Sequence, residues 1–357
     1  MCTMIKSYSF SRTPLYWLGS AALLLLGFMA SCSKEKASQA PMAFEQPANF
    51  PPLRYKLEGN LVQQDVFVLG RTLFYDGQLS STGKISCGSC HQQSVAFAHA
   101  DHSVSHGVFD RLGTRNAPAL QNLGFYKTFM WDGGIFDLDL QPLAPLENHV
   151  EMDEQMDHVL TKLQQSAQYK LLFQKAYGSS EITSVKMLKA MAQFMVMMVS
   201  ANSRYDKYVR QEAGANFTAD EKEGLQLFKA KCQSCHATDL FTDQTFRNNG
   251  LPPAVVNDLG RYAVTLNSAD RYSFKVPSLR NVANTMPYMH DGRFWTLEQV
   301  MDHYANGVVN SPTLDPLLNN GSSLGIPLTV AEKNKIITFL KTLTDETFIR
   351  DRRFAEQ

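Results

Sequence analysis

The sequence predicts a mostly α chain, built as two related helical domains with extensive irregular loops. Three observations predict it. Apolar residues recur at helical spacing in several stretches, clearly from Leu61 to Phe74 and from Val185 to Val209. Runs with strand alternation are scarce. An amphipathic helix followed by the pentapeptide C-x-x-C-H occurs twice: Gly70-Arg71-Thr72-Leu73-Phe74 leads toward Cys87-Gly88-Ser89-Cys90-His91, and Gly224-Leu225-Gln226-Leu227-Phe228 toward Cys232-Gln233-Ser234-Cys235-His236.

The pentapeptide carries its own chemistry. C-x-x-C-H is the attachment signal for a covalently bound c-type haem. Each thiol adds to one vinyl group, and the following histidine ligates the iron from the proximal side. One such pentapeptide arises by chance in roughly one of a few hundred chains of this length, so two are a strong signal. A zinc site using the four thiols leaves the two adjacent histidines unexplained. A thioredoxin-like pair needs a βαβ pattern, and none is visible. Two cytochrome c-like haem domains follow, with Cys87, Cys90, His91, Cys232, Cys235 and His236 holding two covalent haems c.

Composition sets the remaining bounds. The 357 residues suffice for two domains with real cores. Lys+Arg and Asp+Glu are both 34, so the zero formal charge gives no support for nucleic acid as a partner. Of six cysteines, four belong to the pentapeptides, leaving Cys2 and Cys32 and no disulfide framework. Residues 1–31 have the shape of a secretory signal: basic Lys6 and Arg12, an apolar run from Leu15 to Ala30, then small residues before Cys32. The segment resembles a bacterial lipoprotein signal, which makes Cys32 the lipidated first residue and places the protein in the periplasm on a membrane anchor. Export fits, because bacteria attach c-type haem outside the cytoplasm.

In chain order, residues 32–52 read as a polar, proline-rich tether. An N-terminal haem domain is expected over 53–212 and a C-terminal one over 213–350. Residues 92–150, rich in Gly, Asn, Pro and Asp, read as a long loop wrapping the first haem. Asp153 to Tyr177 reads as one or two helices. Val185 to Val209 reads as one long helix with Met187, Met191, Met195 and Met198 inward, as core rather than ligands. Thr218 with Glu221 and Thr329 with Glu332 form capping boxes. Thr296-Leu297-Glu298-Gln299 caps a helix running to about Tyr304, and Ile336, Ile337, Phe339 and Leu340 face the core of the last helix.

The chain resembles the bacterial di-haem cytochrome c peroxidase family, whose relatives include the MauG enzymes. The resemblance runs from about Leu61 to Leu343. It rests on the paired pentapeptides and on Arg115-Asn116-Ala117-Pro118, Phe129-Met130-Trp131-Asp132-Gly133, Val150-Glu151-Met152 and Pro287-Tyr288-Met289-His290-Asp291-Gly292. It implies reduction of hydrogen peroxide to water, with electrons from a small periplasmic cytochrome c or cupredoxin. Electrons would enter at the C-terminal haem and pass to the N-terminal one. It implies Glu151 as distal acid/base, Gln141 as distal glutamine and Trp131 as relay between haems. It implies a calcium ion held by the Asn116 side chain and the carbonyls of Thr285 and Pro287. His106 is the expected resting ligand of the peroxidatic iron, with His99 and His102 as alternatives. Tyr304 stands where classical members place a methionine, as in the MauG branch, with Met301 and Met289 as alternatives. A homodimer is an open expectation.

Three functions remain open on the sequence: peroxide reduction, MauG-like oxidation of residues on a partner protein, and di-haem electron carriage. Tyr304 favours the second. Glu151 and Gln141 argue against the third, since a carrier needs no distal acid.

Overall fold

The computed structural model describes residues 42–357. The expected signal, and Cys32 within the expected tether, lie outside the described residues. The fold is mostly helical. Among the described residues eleven α-helices are present: α1 Gln64–Tyr75, α2 Cys87–Cys90, α3 Leu143–Glu147, α4 Met156–Gln165, α5 Ala167–Tyr177, α6 Ser184–Val196, α7 Arg204–Val209, α8 Ala219–Lys231, α9 Tyr262–Thr265, α10 Leu297–Asp302 and α11 Val330–Lys341. Among the described residues the sheet is one antiparallel ribbon, β1 Phe246–Arg247 with β2 Phe274–Lys275. Among them, too, no helix is long and apolar enough to cross a membrane.

The expected caps form. Thr218 and Glu221 close a reciprocal box at the start of α8, as do Thr329 and Glu332 for α11 and Thr296 and Gln299 for α10. Each box satisfies orphan N–H donors of the first helical turn.

Each half is organised by one helix crossing, and a glycine permits it. In the first half α1 packs on α6; a Cβ at Gly70 would lie 2.0 Å from the Ala190 carbonyl oxygen. In the second half α8 packs on α11; a Cβ at Gly224 would lie 2.1 Å from the Lys335 carbonyl oxygen. The repeated Gly-x-x-Leu-Phe is thus a repeated close contact. Gly224→Ala should destabilise the holoprotein by about 1–3 kcal/mol through overpacking, although alanine is the better helix former by roughly 1 kcal/mol. Denaturant unfolding followed by circular dichroism measures it; an alanine variant at least as stable as the parent would contradict the crossing.

Three expectations are corrected. The helix expected over Val185 to Val209 is broken: α6 ends at Val196 and α7 starts after Ser203, whose side chain and Asp206 form a capping box. Between them Ser200 leaves the helical path to exchange two bonds with the Asn122 side chain, at 2.8 and 3.1 Å. The tether does not extend to Pro52. Phe50 is buried with Phe125 and Leu240, and Phe44 packs beside it, because these aromatic rings have apolar surface to cover. The C-terminal domain expected over 213–350 does not keep its end: the tail beyond Leu343 returns to the first half. Phe348 and Phe354 pack with Phe67, Phe74, Phe97 and Phe194, while Arg71 and Tyr75 donate to the carbonyls of Arg353 and Phe354 at 2.9 and 2.7 Å.

A buried polar hub joins the halves. Arg280 and Asp206 are both fully buried, with two bonds at 2.8 and 2.7 Å. Gln121 donates to the Arg280 carbonyl at 2.5 Å. Asn281 donates to Gln121 and, at 2.9 Å, to Ser200.

Candidate haem centres

Both pentapeptides set the histidine at the end of the turn that carries the two thiols. In α2, Cys87 and Cys90 are one turn apart and His91 is the C-cap, its N–H bonded to the Cys87 carbonyl at 2.9 Å. Around the second motif, His236 N–H donates to the Cys232 carbonyl at 3.0 Å. The four thiols are unpaired.

The histidines are held in one tautomer. His91 Nδ1 is 2.8 Å from the Phe97 carbonyl oxygen; His236 Nδ1 is 3.1 Å from that of Phe241 and 3.2 Å from that of Pro277. A carbonyl only accepts, so Nδ1 carries the proton and Nε2 keeps the lone pair a metal needs. Burial pushes His91 down to about 4 and lowers His236 as well, favouring the neutral ring. The donor set therefore fits an iron porphyrin.

Around the first motif the structure gathers Glu151 and the loop that carries His106. Gln141 and Glu151 flank the single turn of α3. Glu151 is half-buried, and its charge acts on the Cys87 and Cys90 thiols. Burial raises its affinity for a proton, and a 3.1 Å bond from Asn148 Nδ2 opposes that. The loop carrying His106 lies over Glu151: a Cβ at Gly107 would be 2.3 Å from the Glu151 carbonyl oxygen, and Val108 N–H donates to that oxygen at 2.8 Å. The His106 ring itself turns elsewhere. It contacts His102 at 3.4 Å and Asp110 at 3.4 Å, while its carbonyl, not its ring, meets Cys90 Sγ. His99 stacks on His102 with centroids 4.6 Å apart, so all three loop histidines form one cluster.

A cavity of about 590 Å³ opens between the halves and extends to the second motif. Trp131, Asn116, Thr285 and Pro287 lie on its wall, as do Cys232, Cys235, His236, Met289, Met301 and Tyr304. Trp131 is fastened to both halves. Its indole N–H donates to the Asn116 carbonyl at 2.8 Å, and its own carbonyl accepts from Lys275 N–H at 2.7 Å. Arg115 braces the turn that carries it, binding Asp132 at 2.5 Å and Asp258 at 2.6 and 2.9 Å. The Asn116 amide donates to the Ser103 carbonyl at 3.2 Å, which leaves its oxygen as the side-chain acceptor on that wall.

Tyr304 sits in a π-turn, His303–Gly307, that follows α10. The extra residue in such a turn re-aims the side chains it carries, and these turns recur at functional sites. Burial pushes the Tyr304 phenol up to about 12, and the Asn249 amide pulls it the other way.

Residues 64–214 match the family model described as di-haem cytochrome c peroxidase. The chain is 33% identical to the methylamine utilization protein MauG of Methylorubrum extorquens over 323 residues, covering 89% of this chain and 88% of that one. It is 33% identical to the cytochrome c551 peroxidase of Nitrosomonas europaea over 314 residues, covering 87% of each. Among solved structures, a MauG-like protein associated with microbial copper homeostasis superposes with a TM-score of 0.78 at 33% identity, covering 88% of this chain and 99% of that one. The chain belongs to the di-haem cytochrome c peroxidase family. It is an oxidoreductase with two covalently bound c-type haems.

Sequence reasoning missed part of this di-haem protein's internal symmetry. Pro118-Ala119-Leu120-Gln121-Asn122 has its counterpart in Pro277-Ser278-Leu279-Arg280-Asn281, and Phe129-Met130-Trp131-Asp132-Gly133 in Tyr288-Met289-His290-Asp291-Gly292. Backbone geometry repeats with them. Asn122 and Asn281 have φ of 61° and 56°, Met130 and Met289 of 66° and 71°, and each motif closes an antiparallel bridge, Phe129 with Ile135 and Tyr288 with Phe294. The aligned Asp-Gly pairs were the available signal. Asn249, which touches several groups at the second site, carried none.

Proposed function

We propose that the protein reduces hydrogen peroxide at its N-terminal haem with electrons from a small redox protein, in the reaction H2O2 + 2 e⁻ + 2 H⁺ → 2 H2O. Cys87, Cys90 and His91 would hold one haem, and Cys232, Cys235 and His236 the other. Bound haem supplies the redox chemistry and the site at which peroxide coordinates. Glu151 supplies the proton chemistry. As carboxylate it would take the proton from one peroxide oxygen, and as acid it would return it to the other, so that water leaves. Gln141 would orient the peroxide beside it. Trp131 would link the two centres, and Asn116 with the carbonyls of Thr285 and Pro287 would hold a calcium ion. Tyr304 would be the sixth ligand of the C-terminal iron. His106 would hold the N-terminal iron at rest only by leaving His102 and Asp110. The enzyme would work in the periplasm, anchored through a lipid at Cys32.

The observation that carries this reading is Glu151: a half-buried carboxyl beside the first thiol pair, with raised proton affinity, which a plain electron carrier does not need. A second reading, oxidation of residues on a partner protein, is favoured by Tyr304 on the cavity wall. A hard oxygen donor there stabilises ferric iron, whereas a thioether raises the potential. The deciding experiment is peroxide consumption by the holoprotein with reduced cytochromes c and cupredoxins. Turnover coupled to donor oxidation supports the peroxidase. Peroxide bleaching of the haems without turnover on any donor favours the second reading. Haems inert to peroxide, before and after partial reduction, would overturn both.

A further inference from the structure

At the second haem cavity one side chain holds Met289, one of the three candidate sixth ligands. Asn249 Nδ2 donates to the Met289 sulfur at 3.5 Å, and Asn249 and Tyr304 lie on the wall of the same cavity. The Asn249 carbonyl accepts from His303 Nε2 at 3.1 Å, which fixes the residue immediately before Tyr304.

Asn249 is rigidly placed. Its neighbour Asn248 is buried and spends its side chain on Ser311 at 3.0 Å, Thr313 at 2.9 Å and Gly250 N–H at 2.9 Å. On the other side Gly250 has φ of 69°, and its carbonyl accepts from Val309 at 2.9 Å. An amide held this way presents a fixed donor rather than a swinging one.

The other half repeats the arrangement. Met130, the counterpart of Met289, accepts at sulfur from Gln141 Nε2 at 3.8 Å. In both halves a methionine on a left-handed backbone is tethered by a side-chain amide.

A thioether sulfur accepts hydrogen bonds only weakly, but the lone pair it uses is one it would otherwise offer to iron. We propose that Asn249 is a positioning residue that selects the sixth ligand of the C-terminal haem: it ties back the Met289 thioether and, through His303, fixes the turn that presents Tyr304. The inference rests on the reading of Tyr304 as ligand. Sulfur and oxygen donors set the iron potential in opposite directions. Asn249 therefore decides whether this centre stores an electron easily or resists reduction.

The test uses the holoprotein and reads the far-red methionine-to-iron charge-transfer band and the midpoint potential of each haem. Asn249→Ala should produce that band at one haem and shift its oxidation equilibrium toward the reduced form by at least tenfold, which is about 59 mV for one electron. The band should vanish in Asn249→Ala/Met289→Leu, while Met289→Leu alone should leave the parent spectrum unchanged. Asn249→Asp, of the same shape but without N–H donors, should also develop the band, and serves if the alanine variant loads haem poorly. Tyr304→Phe separates the two levels of the argument. If it alters one haem while both Asn249 variants keep the parent spectrum and potential, the ligand reading stands and the positioning role is overturned. If Tyr304→Phe alters neither haem, the ligand reading fails and the proposal with it.

Discussion

Replacing Glu151 with glutamine should slow peroxide turnover by roughly a hundredfold or more, which is the size expected for loss of general acid–base catalysis, while both haems stay attached. Glutamine is nearly isosteric and its carbonyl can still accept from Asn148 Nδ2, now at 3.1 Å from Glu151. What it cannot do is take up a proton and give it back. The pH profile carries a second signature. Burial raises the Glu151 pKa, so the carboxyl keeps its proton above the ordinary glutamic range near about 4.3. The first step needs the carboxylate, so kcat/KM should fall on the acid side along a limb lying above that range. The limb should be missing from the glutamine variant. Steady-state kinetics across pH, with haem content measured on the same samples, checks both. Parent-like turnover in the variant, or an acid limb that survives the substitution, would remove Glu151 from the chemistry.

What the sequence revealed is what local rules govern. Capping boxes at Thr218, Thr296 and Thr329 are three-residue patterns, and each forms as read. The pentapeptides are equally local, since one helical turn suffices to bring Cys87 and Cys90 to one face. Misreadings occurred where distant contacts overrule periodicity. The apolar pattern of α6 runs on past Val196, but Ser200 is bonded to Asn122 and, at 3.1 Å, to Asp345, partners far away in the chain. Asn249 was illegible for a related reason. It lies in a loop of Asn, Gly and Pro with no period to read, and its interest comes from Met289, His303 and Tyr304, all delivered by other elements. The second internal repeat was legible in principle through its shared Asp-Gly pairs. Its meaning is conformational, because the matched positions share left-handed φ at Asn122 with Asn281 and at Met130 with Met289.

Replacing Asp206 with alanine should cost about 3–5 kcal/mol, because it strands a buried guanidinium without its counter-charge. Asp206 and Arg280 are both wholly inaccessible, and Asp206 also accepts from Asn49 at 2.9 Å and from Ser203 N–H and Oγ at 2.9 and 2.7 Å. Burial alone would raise the Asp206 pKa, but the bonds from Arg280 outweigh it and hold the carboxyl below the usual range. A carboxylate with a depressed folded pKa stabilises fully above its unfolded value near about 3.9 and loses that contribution as pH falls through the folded one. Part of the parent's acid-side loss of stability should therefore be absent in the variant. The pair stands where Gln121, Ser200 and Asn281 join the halves, so the damage should not stay local. Thermal unfolding followed at both haems should show the two signals falling together at a lower temperature. The double variant Asp206→Leu/Arg280→Met should recover much of the loss, since an apolar pair leaves no charge uncompensated. A cost under about 1 kcal/mol for Asp206→Ala would match an exposed ion pair instead, and would mean that water reaches Arg280 at the seam between the two halves.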